Sequence, residues 1–494
     1  MSADVCFVLE GTYPFVAGGV SSWVHTLIED QPELTFEVLH ISPEPGFNAR
    51  GPLYPSPKNL RGVREVFLQP GPSETAGKEP DPEALRRFVG LLGQLRAGQA
   101  GNLAEFIQAS EELADVAPED LVRGPAAWSV LVDTYRAEAS EESFMSFFWT
   151  WAFVHMPFLQ VLRTEIPEAG VYHTSCTGYA GLLAAVAKVK TGRPMILTEH
   201  GIYTKERRIE FNQADWIHDW RPDGHLPRRE TPYFESFWSR HFEMMSRLAY
   251  EHADLILTLY EGNKRVQQRE GAAGDKIDIV PNGMQPERFR EAAAQFDQRP
   301  ENERFTVGFV GRVTPVKDVL TLLRAMRLVA NELPSLQVEI LGPMEEDEDY
   351  ARRCVDMAQE LGLDGIVHFR GRVQVLDALP SLDLVVLTSI SEAQPLVVLE
   401  AGAVGLPVVS TAVGSCEELL LGRTDEDKQL GPGGLLTPIA SPGATADAVL
   451  QLQRDPELRR SMGRALRERV RHFYGLNDTL SAYGSIYDRL RRSA

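Results

Sequence analysis

Residues 383–402 hold the feature that most limits what this chain can fold into. An apolar run, Asp383-Leu-Val-Val-Leu387, is followed by a polar turn and then by Pro395-Leu-Val-Val-Leu-Glu400-Ala-Gly. The β-branched run reads as a strand buried on both faces, the kind that parallel sheets contain. Pro395 suits the first turn of a helix, and the Leu, Val and Ala after it continue one. A parallel strand that hands over to a helix puts its loop at the carboxyl edge of the sheet, where open α/β sheets hold ligands. The free N–H groups and dipole of the new helix favour a phosphate there, so the backbone turn Gln394-Pro395-Leu396-Val397, in which every residue but Pro395 has an N–H to donate, is the expected contact. Glu392 and Glu400 bracket the junction and can accept hydrogen bonds from sugar hydroxyls.

A phosphate-bearing ligand needs cations, yet the chain has a formal net charge of −20 with its Lys and Arg scattered. That balance argues against a nucleic-acid surface and calls for a local basic pocket. Gly311-Arg312-Val-Thr-Pro-Val-Lys317, after the predicted strand Phe305–Val310, supplies one. A planar Arg fork and a flexible Lys ammonium suit a diphosphate and can stabilise it as a leaving group.

The same strand-loop-helix grammar opens the chain. Strand Val5–Leu9, a loop ending in Gly18-Gly19, helix Val20–Glu29 and strand Phe36–Ile41 form a βαβ unit,. Glycines at a helix start let a ligand approach the backbone closely. The pattern resumes with strand Gly170–His173, helix Tyr179–Lys190 and strand Pro194–Thr198, which runs into Glu199-His200-Gly201. His200, at a strand end before a glycine, can donate to a phosphate or a sugar hydroxyl; His173 has a similar setting and reads as structural. Ile277-Asp-Ile-Val-Pro-Asn282-Gly283 ends a last strand in a turn that reads as a hinge,.

Between these units, about residues 43–82 are rich in Pro and Gly and read mostly as loop, and 82–166 read as helical,. Within the latter, Phe144–Leu162 is apolar and aromatic and reads as a buried core helix, with Pro157 predicting a break. Tyr203–Trp238 mixes aromatics and Arg in a manner that suits a sugar diphosphate or a solvated loop (Trp216, Trp220, Arg228, Arg229). The acids Glu345–Asp349 read as a solvated helix start. With 494 residues, 43% of them hydrophobic, two or three domains are expected,. Cys6, Cys176, Cys354 and Cys416 lie far apart, which suits a reducing compartment and neither a disulfide framework nor a zinc site,. A strand close to the first residue reads against a signal peptide.

Glu392-x7-Glu400, with Gly311-Arg312-x4-Lys317 upstream, resembles the retaining glycosyltransferases of family 4. The resemblance covers nearly everything except about residues 43–166, though Ser415 stands where many members have a second glycine after Gly414. It implies an α/β protein of GT-B fold, two Rossmann-like domains facing across a cleft with a helical insertion in the first. The expected division is an acceptor-side domain over 1–281, a nucleotide-sugar domain over 282–472, and a C-terminal helix over 473–494 that crosses back to the first. The resemblance further implies that Arg312 and Lys317 hold the diphosphate, Glu400 the ribose and Glu392 a donor-sugar hydroxyl. Gly18 and Gly19 would face the donor phosphate and the acceptor, His200 the reacting sugar, and the backbone at Arg372 and Val373 the nucleobase. No metal and no cofactor are implied, and no dedicated nucleophile is apparent, which fits front-face attack.

Two stretches, Phe7–Val24 and Thr198–Arg208, together with the helical insert, are similar to cytosolic glycosyltransferases of bacterial Pel exopolysaccharide systems. That similarity implies a UDP-linked donor (UDP-GlcNAc, UDP-GalNAc or UDP-glucose), a polysaccharide acceptor, inner-membrane polymerisation and export partners, and a cytoplasmic setting. Two other readings stay open: another enzyme of this fold, such as a UDP-sugar epimerase or a phosphorylase, and a non-catalytic nucleotide-sugar sensor whose insert docks a partner. The first would need acid/base carboxylates in the first domain or a pyridoxal-bearing lysine, and neither is visible.

Overall fold

A computed structural model of the protein describes residues 2–69, 79–98, 102–121, 124–213, 233–300 and 304–493. It divides into two compact units, each built on a parallel sheet. The first comprises Met1–Thr258, Lys264–Asp278 and Tyr483–Ala494; the second comprises Leu259–Asn263 and Ile279–Ala482.

The strands of the first sheet are β1 (Ala3–Glu10), β2 (Phe36–Ser42), β3 (Leu60–Phe67), β4 (Ala169–Thr174), β5 (Met195–Glu199), β6 (Leu255–Thr258) and β7 (Ile277–Ile279). They lie in the order β3-β2-β1-β4-β5-β6-β7. The order reverses direction between β1 and β4, where the loops leaving the carboxyl ends part to make room for a ligand. β1, β4 and β5 are almost wholly buried, as strands covered by helices on both faces must be,.

Three expectations for this unit need correction. The stretch read as loop contains β3, which pairs in parallel with β2. It is an edge strand with only Val66 buried, so its exposed Arg61, Arg64 and Glu65 hide the apolar alternation that would reveal it,. Helix Phe144–Arg163 runs unbroken through Pro157. Trp151, Val154 and Phe158 pack into the core on either side of the proline, and that burial outweighs a lost helix bond of about 3 kcal/mol,. The same helix is not buried all round: Met145, Trp149 and Phe153, four residues apart, are 59%, 52% and 39% exposed. Trp216, Trp220, Arg228 and Arg229 lie outside the described residues.

The second sheet comprises β8 (Phe305–Val310), β9 (Leu336–Leu341), β10 (Val367–Gly371), β11 (Leu384–Leu387), β12 (Val408–Thr411) and β13 (Gly434–Thr437). Its order is β10-β9-β8-β11-β12-β13, with every registered pairing parallel. The reversal falls between β8 and β11, the two strands that carry the sequence motifs. A buried arginine braces this unit. Arg469, fully buried, pairs with Asp427 and donates to the carbonyls of Leu420 (2.9 Å) and Gly431 (2.8 Å).

Candidate active site

At the carboxyl ends of β8 and β11 the second unit brings two of the predicted residues into direct contact. Lys317 Nζ donates to Glu392 Oε1 at 2.5 Å, and the Ser389 hydroxyl donates to the same oxygen at 2.6 Å. The side chains are 20% and 11% exposed, so the pair is shielded but still open to solvent. The two loops are stitched by their backbones. Ile390 N donates to Val316 O (2.8 Å), and the Thr388 hydroxyl reaches the carbonyls of Lys317 and Asp318. Asp318 adopts a left-handed conformation (φ 46°), rare without glycine, and its side chain caps helix Val319–Glu332 through Thr321 N,.

A third loop completes the clamp. Gly414 has φ 56°, and a Cβ there would stand 2.4 Å from the carbonyl oxygen of Glu392. Only glycine tolerates both constraints. Next to it, Ser415 N donates to Ala393 O at 2.8 Å. Sequence reasoning saw in Ser415 a departure from a Gly-Gly pair and had no signal for this contact.

The other predicted residues of this unit are held differently. Arg312 forms an ion pair with Glu346 at 2.7 Å, so the acid run read as a solvated helix start in part answers this arginine. Asp347 in the same run caps helix Glu348–Glu360. The Gln394 side chain is committed to the hinge: it accepts from Asn282 N and donates to Asn282 O, both at 2.8 Å. Pro395 is the residue just before helix Leu396–Val404, one position earlier than expected. Leu396 is exposed and Val397 half-buried at that helix start, while Arg372 and Val373 are exposed beyond the end of edge strand β10. Glu400 is half-buried, and burial raises its carboxyl above the usual range while the nearby Arg288 guanidinium works against that rise. Arg288 was not foreseen, because it enters from a short turn more than a hundred residues upstream.

In the first unit His200 follows β5 directly and packs edge-on against Trp23 at 4.6 Å between ring centroids. Trp23 belongs to helix Gly19–Glu29, so it ties His200 to the helix that Gly18 and Gly19 open. Both glycines are exposed, and a Cβ on either would meet nothing within 4 Å. Among the described residues nothing crowds them. Burial holds His200 at about 4, well below the usual imidazole range, so at neutral pH the ring is uncharged,. Its neighbour Glu199 lies in the same Thr198–Gly201 stretch, whose pattern points to no role for it. This fully buried carboxylate accepts from Tyr250 (2.7 Å), Gln267 (2.9 Å) and the backbone of Tyr203 (3.3 Å), and burial pushes it up to about 7. His173 is structural: its ring bonds Tyr487 at 2.7 Å and Thr198 at 2.8 Å. Among the described residues no cluster of three or more His, Cys, Asp or Glu side chains could hold a metal ion.

The family model for glycosyl transferases group 1 matches residues 291–469, which contain the Lys317–Glu392 site. A D-inositol 3-phosphate glycosyltransferase of Saccharomonospora viridis is 28% identical over 327 residues, 63% of this chain and 69% of that protein. One of Kribbella flavida is 30% identical over 47% of this chain and 54% of the relative. Sucrose-phosphate synthase of Thermosynechococcus elongatus shares the fold with a TM-score of 0.60 and 18% identity, over 99% of this chain and 100% of that one. Anabaena HepE in complex with UDP-glucose does so with a TM-score of 0.58 and 14% identity, over 98% and 99%. The class is therefore a glycosyltransferase of GT-B fold. The chain belongs to the family described as domain of unknown function DUF3492, whose model matches residues 3–275, joined to a group 1 glycosyltransferase domain.

Proposed function

We propose that this enzyme transfers a hexose or N-acetylhexosamine, with retention, from a UDP-sugar to a growing exopolysaccharide of the Pel type, as its resemblance to PelF suggests. The observation that carries the reading is the Lys317–Glu392 pair between β8 and β11, at the crossover where a parallel sheet receives its ligand,. Arg312 and Lys317 offset the charge that builds on the leaving diphosphate, and the helix start at Gln394–Val397 adds the backbone N–H groups of its residues other than Pro395. Glu392 holds a donor-sugar hydroxyl, Glu400 the ribose, and the backbone at Arg372 and Val373 the nucleobase. In the first unit, His200 and the Gly18–Gly19 loop serve the reacting sugar and the acceptor. His200, uncharged at neutral pH, can donate from one ring nitrogen without adding a further positive charge,.

The bond from the sugar's anomeric carbon to the diphosphate oxygen breaks, and the acceptor oxygen joins on the same face. The acceptor's proton passes to the departing diphosphate, so no dedicated base and no metal is required. The UDP-glucose bound in the HepE complex supports a nucleotide-sugar donor, and the sugar and acceptor are left to be chosen by assay. Among the described residues no helix is long and apolar enough to cross a membrane.

The test is UDP release from UDP-GlcNAc, UDP-GalNAc and UDP-glucose, for wild type beside Glu392→Ala and Lys317→Ala. Turnover of one donor that both variants lose supports the reading. UDP binding without turnover of any donor, with membranes containing the export proteins present, sinks it.

A further inference from the structure

The second unit has a basic cavity that the donor site does not use. It measures about 610 Å³ and is walled by Arg299, Arg304, Arg459, Arg460, Arg464 and Arg467. It lies at the amino ends of the sheet, beside Phe305 at the start of β8, Asp383 just before β11 and Pro407 just before β12. The Lys317–Glu392 site is at the carboxyl ends of the same strands, roughly 20 Å away by the rise of a six-residue strand. Both sites can therefore be filled at once.

Its charge is out of keeping with the chain. Against six guanidinium groups the described wall sets two carboxylates, and each already has its own arginine. Arg467 holds Asp297 with two bonds of 2.9 and 2.8 Å, and Arg299 pairs with Asp383. Glu301 and Glu303 stand between Pro300 and Arg304 in the sequence, outside the described residues; counted in full, they still leave the cations in surplus. Arg460, Arg464 and Arg467 fall on one face of helix Pro456–Phe473, spaced four and three residues apart,. Arg459 lies over the Phe305 ring at 5.1 Å. Arg464, exposed, makes no hydrogen bond or ion pair among the described residues. Arg299 and Arg467 already hold carboxylates of their own, yet in a chain of net charge −20 six guanidinium groups around one concavity do not arise from general basicity,.

We propose that this cavity is a second anion site that binds a small phosphorylated metabolite, a nucleotide or a sugar phosphate. Its volume fits such a molecule, since small-ligand sites span about 300–1,000 Å³. The Arg forks fit phosphate oxygens two at a time.

Inorganic pyrophosphate and ATP are the probes, titrated calorimetrically into the full chain at about 0.1 M salt, near the physiological screening range. The background is Arg312→Ala/Lys317→Ala, which removes the basic pair of the donor loops and isolates the cavity whatever the donor site does. One saturable site is expected there, weakened at least about tenfold by the added exposed change Arg464→Glu, in line with the strength of charged hydrogen bonds. Arg460→Ala serves as a second, charge-removing variant, with the melting temperature as fold control. Binding that changes less than threefold in both variants, or no saturable binding in the background chain, overturns the proposal. Neither outcome depends on whether a UDP-sugar is turned over.

Discussion

Lys317→Met and Glu392→Gln, made singly and together, separate a diphosphate clamp from an ion pair that merely joins two loops. Their side chains are 20% and 11% exposed, so the pair belongs neither with surface bridges, worth about 0–1 kcal/mol, nor with fully buried ones, whose rupture costs about 3–5 kcal/mol,. About 1–3 kcal/mol per single variant is the expected loss of stability, nearer the lower end for Lys317→Met. The Ser389 hydroxyl still donates to Glu392 in that variant,. In the double variant no charge is left without its partner, so the losses should fall short of additivity by about 1–2 kcal/mol. Activity should behave otherwise. A preorganised donor aimed at a developing oxyanion is worth about 10²–10³ in rate, and the double variant restores none of it. Urea unfolding read by circular dichroism gives the first quantity, and UDP release gives kcat/KM. A double variant that regains kcat/KM to within tenfold of wild type as its stability recovers would refute the assignment of Lys317 to the leaving group.

Acid should loosen the first unit before the second. His40 and His200 are held at about 4, and His155, His173 and His241 at about 3, all by burial. The folded state then binds fewer protons than the unfolded chain below pH 6.5. Each histidine thus withdraws up to about 1.4 kcal/mol per pH unit as pH falls through that range. Glu199, pushed up to about 7, and Glu10 and Glu270, both raised by burial, work the other way as pH falls, but they are three groups against five. Calorimetry at pH 7 and 5.5 should show an earlier transition at pH 5.5; unchanged or higher melting would contradict the histidine burial. Gly414→Ala should shift the Glu392 loop, lowering kcat/KM at least about tenfold while costing about 1–3 kcal/mol of strain, and wild-type kinetics in that variant would count against the clamp,. Arg469→Met leaves Asp427 buried without its cation and should cost about 3–5 kcal/mol; a melting temperature within a degree of wild type would show that the pair carries no stability,.

The sequence by itself determined the two parallel sheets and the place in them of the loops that carry Lys317 and Glu392. Apolar runs such as Leu384–Leu387, each followed by a turn and a helix, carry a local signal that needs no partner to be read,. The Gly311-Arg312-x4-Lys317 and Glu392-x7-Glu400 spacings likewise lie within single strand-loop-helix passages. Only the tertiary structure decided that Lys317 meets Glu392, that Gly414 presses on Glu392's carbonyl, and that Arg288 faces Glu400. Those partners come from different crossovers, and sheet order, not chain order, makes them neighbours. Strand β3 escaped notice for a related reason. An edge strand buries so little that hydrogen bonding to β2, invisible in sequence, is what makes it a strand. The arginine cavity shows the same limit from the other side: arginines read as scattered along the chain become one charged concavity when strand starts and a helix face converge. Periodicity records which face of an element is buried, whereas what it is buried against is settled by the fold.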